Sequence, residues 1–192
     1  DAEDFGYELT TLLNSHGGAA PAMLNLLDSH DTTRILTTLK GDADKLRILL
    51  TLQMTLPGAP MIYYGDEVGL LGETDPDCRR TFPWEESAWN AQVVNATREL
   101  IALRHAHPAL RHGTPEVLGF FNGVLAYRMA AEGDEVIVVV NPREAIANLD
   151  LPLTSAHSTW QPFNGGQRYT VRAGALHLPL VPARSAQVLL PG

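Results

Sequence analysis

Three short clusters carry side chains able to do chemistry on a polar substrate. They are Asp28-Ser29-His30-Asp31-Thr32-Thr33-Arg34, then Gly65-Asp66-Glu67, then Asp75-Pro76-Asp77-Cys78-Arg79-Arg80. Carboxylates accept hydrogen bonds or exchange protons, histidine can do either, and arginine offers a planar fork of donors. Each cluster also has a plainer reading. Asp31 can cap a short helix starting at Thr32, and His30 alone is more often a hydrogen-bonded structural histidine. Asp66 and Glu67 can be ordinary turn acids, and Arg79 with Arg80 a solvated surface pair. Spacing alone does not separate these readings.

The elements that must position the clusters follow from hydrophobic periodicity. Phe5, Leu9, Leu12 and Leu13 fall on one helical face, and Gly17-Gly18 ends that helix. Residues 23–27 and 59–64 are short apolar runs, read as buried parallel strands. Between them a helix opens at Gly41-Asp42, with Asp42 as N-cap, carries Leu46, Leu49, Leu50 and Met54, and stops at Pro57-Gly58. A polar loop runs from Gly65 to about Ser87, then a third helix from about Trp89 to Ala106, limited by Pro108. This is the βα rhythm of a parallel sheet with crossover helices, although two strands are too few for a sheet buried on both faces. All three clusters follow strand C-termini, where α/β barrels place their active sites.

Near residue 113 the pattern changes. Val124, Ala126 and Arg128 alternate with Leu125, Tyr127 and Met129, and 135–140 is a β-branched run. Turn signals at Asn122-Gly123, Gly133-Asp134, Asn141-Pro142 and Asn164-Gly165-Gly166 predict an antiparallel sandwich with its junction at Gly113 and Pro115.

Composition narrows the partners. The 192 residues are 45% hydrophobic with a formal net charge of −8. That balance argues against a nucleic-acid partner, and no apolar run approaches the roughly 20 residues needed to cross a membrane. The single cysteine, Cys78, excludes an internal disulfide and multi-cysteine metal sites. It leaves the cellular compartment open. Asn95-Ala96-Thr97 is a formal glycosylation sequon inside a predicted helix. His105 and His107 close that helix and read as surface residues.

Two segments carry a family resemblance. "NLLDSHDTTR" resembles the segment after the seventh barrel strand of the α-amylase family (glycoside hydrolase family 13), and "LPGAPMIYYGDEVGL" its eighth-strand segment. "DPDCRRTFPW" resembles the following loop, in the form seen in neopullulanases, cyclomaltodextrinases and maltogenic amylases. "LRHAHPALRHG" and "PARSAQVLL" resemble the eighth helix and the last strand of the C-terminal sandwich. The resemblance implies an α/β plus all-β chain: the last two βα units of a (β/α)8 TIM barrel in residues 1–112, then an antiparallel β-sandwich in 113–192.

It also implies roles by position. Asp31 matches the family's third invariant acid, which holds hydroxyls of the sugar being cleaved, and His30 the histidine that donates to the same sugar. Asp75 and Arg79 match a pair gripping a glucose further toward the non-reducing end. Arg34 is expected to be structural or rim-binding, with Asp66 and Glu67 in the same class. The implied partner is an α-glucan oligosaccharide. No cofactor or metal is expected in these residues; calcium sites in the family lie mostly upstream, which leaves calcium in the parent enzyme open.

A retaining glycosidase needs two carboxyls about 5–5.5 Å apart, a nucleophile and an acid/base. The family's Gly-x-Arg-x-Asp nucleophile segment and its acid/base segment do not occur in these residues. Both are expected upstream of Asp1, making the chain a C-terminal fragment inactive by itself, with self-association expected through its open barrel edge. Other readings are a transglycosidase of the same family (trehalose synthase or sucrose isomerase type), a scaffold that has lost activity, and a non-catalytic carbohydrate-binding module.

Overall fold

The computed structural model describes residues 6–11 and 17–192. Residues 6–11 are helical and Leu9 is buried, whereas Phe5, Leu12 and Leu13 lie outside the described residues. A 3-10 turn over Gly17–Ala22 leads into strand β1, Leu24–Leu26, which pairs in parallel with β2, Ala59–Met61. Between them lie the short helix α1, Ile35–Thr38, and helix α2, Ala43–Thr55. Asp42 caps α2 by accepting from the Lys45 amide at 3.1 Å, as its sequence predicts.

Both strands are shorter than their apolar runs, and they are not buried as expected. Leu24 and Leu26 remain 58% and 47% exposed. The reason is coverage: α2 packs on one face of the pair, and no described layer covers the other. On the covered side, Gln53 of α2 bridges the strands, donating to the carbonyls of Asn25 and Met61. Gly58 permits the close approach of the incoming chain: its φ is +114°, and a Cβ there would lie 2.8 Å from the Met23 carbonyl.

Helix α3, Ala91–Ala106, starts on Asn90, whose side chain accepts from the Gln92 and Val93 amides. Its Arg104 donates to the carbonyls of Met54, Leu56 and Gly58, a cation at the C-terminal end of α2. Pro108 does more than limit this helix, because it is the first residue of a further short one, α4, Pro108–His112. His107 is a half-buried junction residue rather than a surface one. Its Nδ1 lies 2.9 Å from Asp134, which also accepts from the Ala109 amide.

From Thr114 onward all described elements are strands: β3 (Thr114–Phe121), β4 (Val124–Ala131), β5 (Asp134–Asn141), β6 (Ile146–Pro152), β7 (Thr159–Pro162), β8 (Tyr169–Arg172), β9 (Ala175–Val181) and β10 (Ser185–Pro191). They pair antiparallel in the order β3-β4-β5-β10-β7-β8-β9-β6. Alternation in β4 and β5 does not separate a wet face from a dry one. Leu125, Tyr127, Val136 and Val138 pack against the helices. Val124, Ala126, Ile137 and Val139 pack against Leu149, Leu151, Leu176 and Leu178 of β6 and β9. The β4–β5 ribbon is thus the middle of three layers. A buried hydrogen bond between Thr55 of α2 and Tyr127 of β4 ties the first two together, and burial raises the Tyr127 hydroxyl pKa.

The C-terminal ends of β1 and β2 are joined by buried charge. Arg34, with no exposed surface, donates from Nη1 to the Tyr64 carbonyl at 2.7 Å and to Asp66 Oδ1 at 3.2 Å. Its guanidinium lies over the rings of Tyr63 and Tyr64, 4.4 and 4.8 Å from their centroids. Asp28 Oδ2 accepts from the Ile35 amide at 2.6 Å, so Asp28, not Asp31, holds the start of α1. The Asp66 pKa is pushed up to about 8 by burial first, then by its hydrogen bond to and repulsion from Asp28, against the lowering effect of Arg34. At neutral pH burial and the neighbouring Asp28 thus favour the protonated form of Asp66.

Unfolded, Asp66 titrates at the ordinary 3.8, and folding raises that value. Its contribution to stability is therefore complete below 3.8 and lost as the pH rises through 8. Urea unfolding of the native chain and the Asp66→Asn variant across this range is expected to show the native chain losing stability relative to the variant as pH rises. A pH-independent difference contradicts the buried proton.

Candidate functional site

The loop after β1 is shaped by its own hydroxyls. The Thr32 amide and hydroxyl both donate to the Ser29 carbonyl, the Ser29 amide donates to the Thr32 hydroxyl, and the Asp31 amide donates to the Ser29 hydroxyl. This closed turn presents His30 and Asp31 outward, their side chains 61% and 68% exposed.

The loop after β2 comes back to meet it. Gly65, in the left-handed region at φ +94°, turns the chain directly against Arg34: a Cβ there would lie 3.2 Å from Nη1. The Arg34 amide then donates to the Gly72 carbonyl, and the Gly72 amide to the Thr37 hydroxyl. Cys78 is fully buried beneath the loop, with its thiol 3.3 Å from the His30 carbonyl. Asp77 accepts from the Glu73 amide and from Arg80 Nε, and these bonds, the first larger, lower its pKa. The Tyr64 hydroxyl donates to the Arg80 carbonyl.

These constraints bring His30, Asp31, Asp75 and Arg79 together at the strand C-termini. Arg79 Nη2 donates to Asp31 Oδ1 at 3.3 Å, and His30 Nε2 lies 3.3 Å from the same oxygen. Arg79 Nε pairs with Asp75 Oδ1 at 2.9 Å and also donates to the His30 carbonyl at 3.1 Å. All four side chains are roughly half or more exposed, so the ion pairs add little stability and remain open to exchange with a ligand. Asp31 Oδ2 has no partner among the described residues. The cluster therefore offers a free carboxylate oxygen flanked by imidazole and guanidinium donors, a pattern suited to a polyhydroxylated ligand. Among the described residues no three His, Cys, Asp or Glu side chains group as metal ligands.

Arg34 and Asp66 are buried, which excludes the rim position for both and leaves the structural one. Glu67 accepts from the Gly65 amide at 2.7 Å, the ordinary turn acid. Sequence reasoning did not single out Tyr64, Asp28 or Cys78 as supports. Only the position of Tyr63-Tyr64 immediately before Gly65 signals that these rings reach the loop.

A family model described as the alpha amylase catalytic domain matches residues 4–106. A cyclomaltodextrinase of Geobacillus thermopakistaniensis is 33% identical over 184 residues, covering 94% of this chain and 31% of that protein. Neopullulanase 2 of Thermoactinomyces vulgaris is 38% identical over 186 residues, covering 94% of this chain and 32% of its own length. The solved structure of a Nostoc punctiforme debranching enzyme superposes with a TM-score of 0.86 at 32% identity, over 98% of this chain and 40% of that one. The chain thus spans about a third of the length of these two sequence relatives. Its residues 4–106, which include both strand-end loops, match the catalytic-domain model, and the chain belongs to the α-amylase family of glycoside hydrolases.

Proposed function

We propose that this chain supplies the sugar-gripping side of a retaining α-glucan hydrolase site of the cyclomaltodextrinase and neopullulanase type. In this reading β1 and β2 are the seventh and eighth strands of a (β/α)8 barrel, residues 1–112 end the barrel domain, and 113–192 form its C-terminal sandwich. Asp31 accepts hydroxyls of the sugar being cleaved and His30 donates to it. Hydrogen bonds that tighten as the oxocarbenium-like state forms favour that state over the ground state. Asp75 and Arg79 hold a glucose farther along the chain. The nucleophile and acid/base come from segments outside these 192 residues.

The observation that carries the reading is Arg79 bridging Asp31 and Asp75 while Asp31 Oδ2 stays free. One arginine then contacts both the acid at the cleaved sugar and the acid beyond it. The test follows the His30 ring resonances while maltotriose is added to the purified chain, with assays on cyclodextrin, pullulan and starch. The expected result is a saturable shift at His30, weakened roughly tenfold in Asp31→Asn and Arg79→Ala, with no turnover. Turnover at the rate of intact enzymes, or a shift indifferent to both variants, overturns the reading.

The exposed Leu24 and Leu26, on a sheet that has two strands among the described residues, support self-association of the chain. Light scattering is expected to show mass rising with concentration, and to fall back toward monomer in a Leu24→Lys, Leu26→Lys variant. A monomer at every concentration contradicts this.

A further inference from the structure

The C-terminal sheet opens where β8 changes partner. Tyr169 and Thr170 pair with Trp160 and Thr159 of β7, whereas Val171 and Arg172 pair with Leu176 and Ala175 of β9. The ladder between β8 and β9 stops at the Val171–Leu176 pair, and beyond it the two strands part. A cavity of about 260 Å³ lies at the parting. Gln167, Arg168, Tyr169, Thr170 and Arg172 line one side of it, and His177 and Pro179 of β9 the other. The size is below the roughly 300–1,000 Å³ of pockets for drug-sized ligands, which fits a small ion or a headgroup.

Alternation decides which groups face the opening. Tyr169, Leu176 and Leu178 are buried in the core, so Arg168, Thr170, Arg172 and His177 turn to the outer face. Arg172 is exposed and has no partner among the described residues. Arg168 makes one long contact, from Nη2 to Gln161 Oε1 at 3.4 Å. His177 Nδ1 lies 2.8 Å from Asp150 of β6, which holds the ring and leaves Nε2 to meet a ligand. Protonated on both nitrogens, such a ring donates to the carboxylate and to a ligand at once. Asp150 balances His177, and Gly192 at the chain end lies beside Arg168, where a Cβ would be 3.1 Å from Nε. Among the described residues no carboxylate lines the cavity itself. The wall is therefore rich in donors and carries two guanidiniums, on a chain whose formal net charge is −8. A cation is repelled here, and a neutral sugar leaves both charges unmet. A carboxylate brings two oxygens to donors from four side chains. A phosphoryl group brings three or more, and the arginine fork matches it two bonds at a time.

We propose that the parting of β8 and β9 is a phosphate site, which takes a phosphoryl group between Arg168, Arg172 and His177. The site does not depend on the sugar reading of the strand-end cluster. The test records amide and imidazole spectra of the purified chain at fixed pH and ionic strength while inorganic phosphate is added. Glucose 1-phosphate, acetate and maltotriose are parallel probes. The expected result is a saturable shift of the Thr170 amide and the His177 ring with phosphate, a much weaker one with acetate, and none with maltotriose. Arg172→Gln should weaken phosphate binding roughly tenfold, the loss of a charge-assisted hydrogen bond, with the rest of the spectrum unchanged. Arg98→Gln, which removes the same charge from the exposed side of α3, should leave binding unaltered. An equal response to glucose 1-phosphate supports the proposal with a phosphorylated ligand, and a response to inorganic phosphate alone supports it for the free ion. Acetate acting as strongly as phosphate, a shift that never saturates, or one that both arginine changes reduce alike makes the patch a general attraction for anions and overturns the proposal. So does the absence of any phosphate shift at these residues.

Discussion

A guanidinium with no exposed surface sits at the point where two strand ends meet, and the geometry of both loops depends on it. Burying a charge costs several kcal/mol unless it is closely compensated. Arg34 is compensated through Nη1 by the Tyr64 carbonyl and Asp66 and by two tyrosine rings, while its Nε and Nη2 are buried without a hydrogen-bond partner among the described residues. Those partners belong to the β2 end, and Arg34 to the loop after β1. Removing one leaves a buried charge uncompensated, so the ends cannot drift apart cheaply. The backbone amide of the same residue reaches Gly72, extending the tie into the long loop. Charge compensation, rather than apolar packing, thus fixes His30 and Asp31 relative to Asp75 and Arg79, whose own exposed contacts are too weak to do so.

The rest of the chain supplies rigidity behind that joint. Two short strands with one open face give little burial of their own. Their support comes from α2, which holds both through Gln53, and from Arg104 of α3, which satisfies the carbonyls where α2 ends. Helix α2 packs against β10 and is tied to β4 by the Thr55–Tyr127 bond, and α4 packs against β4 and β5, whose second face is closed by β6 and β9. The C-terminal strands thus back the strand-end loops through the apolar layer they share with the helices.

Much of this was legible in the residues. Asp42 as a cap, the stop at Pro57-Gly58 and the antiparallel turns follow from local chemistry that acts within a few residues. The exposed cluster could be named because strand-end position and a family resemblance agreed. What the residues did not disclose are tertiary choices. An apolar run such as Leu24–Leu26 reads as buried whether or not a covering layer exists. Arg34 and Asp66 read equally as rim or structural groups, because burial against a tyrosine pair and a second carboxyl is a property of the assembled strand ends. Alternation in β4 marks a strand but cannot announce that both its faces are covered. Asp31 reads as a cap because of its spacing, yet Asp28 takes that place, three residues earlier, by a bond that only the folded turn reveals.

Amide hydrogen exchange in the native chain and an Arg34→Met variant tests most directly whether the buried guanidinium holds the two loops as one unit. Methionine keeps a similar apolar length while removing the charge and every donor. If the account holds, protection falls together in residues 29–38 and 66–80, while the β4 and β5 amides keep theirs. Loss confined to one loop, or no change in either, would show that the site is held by something else.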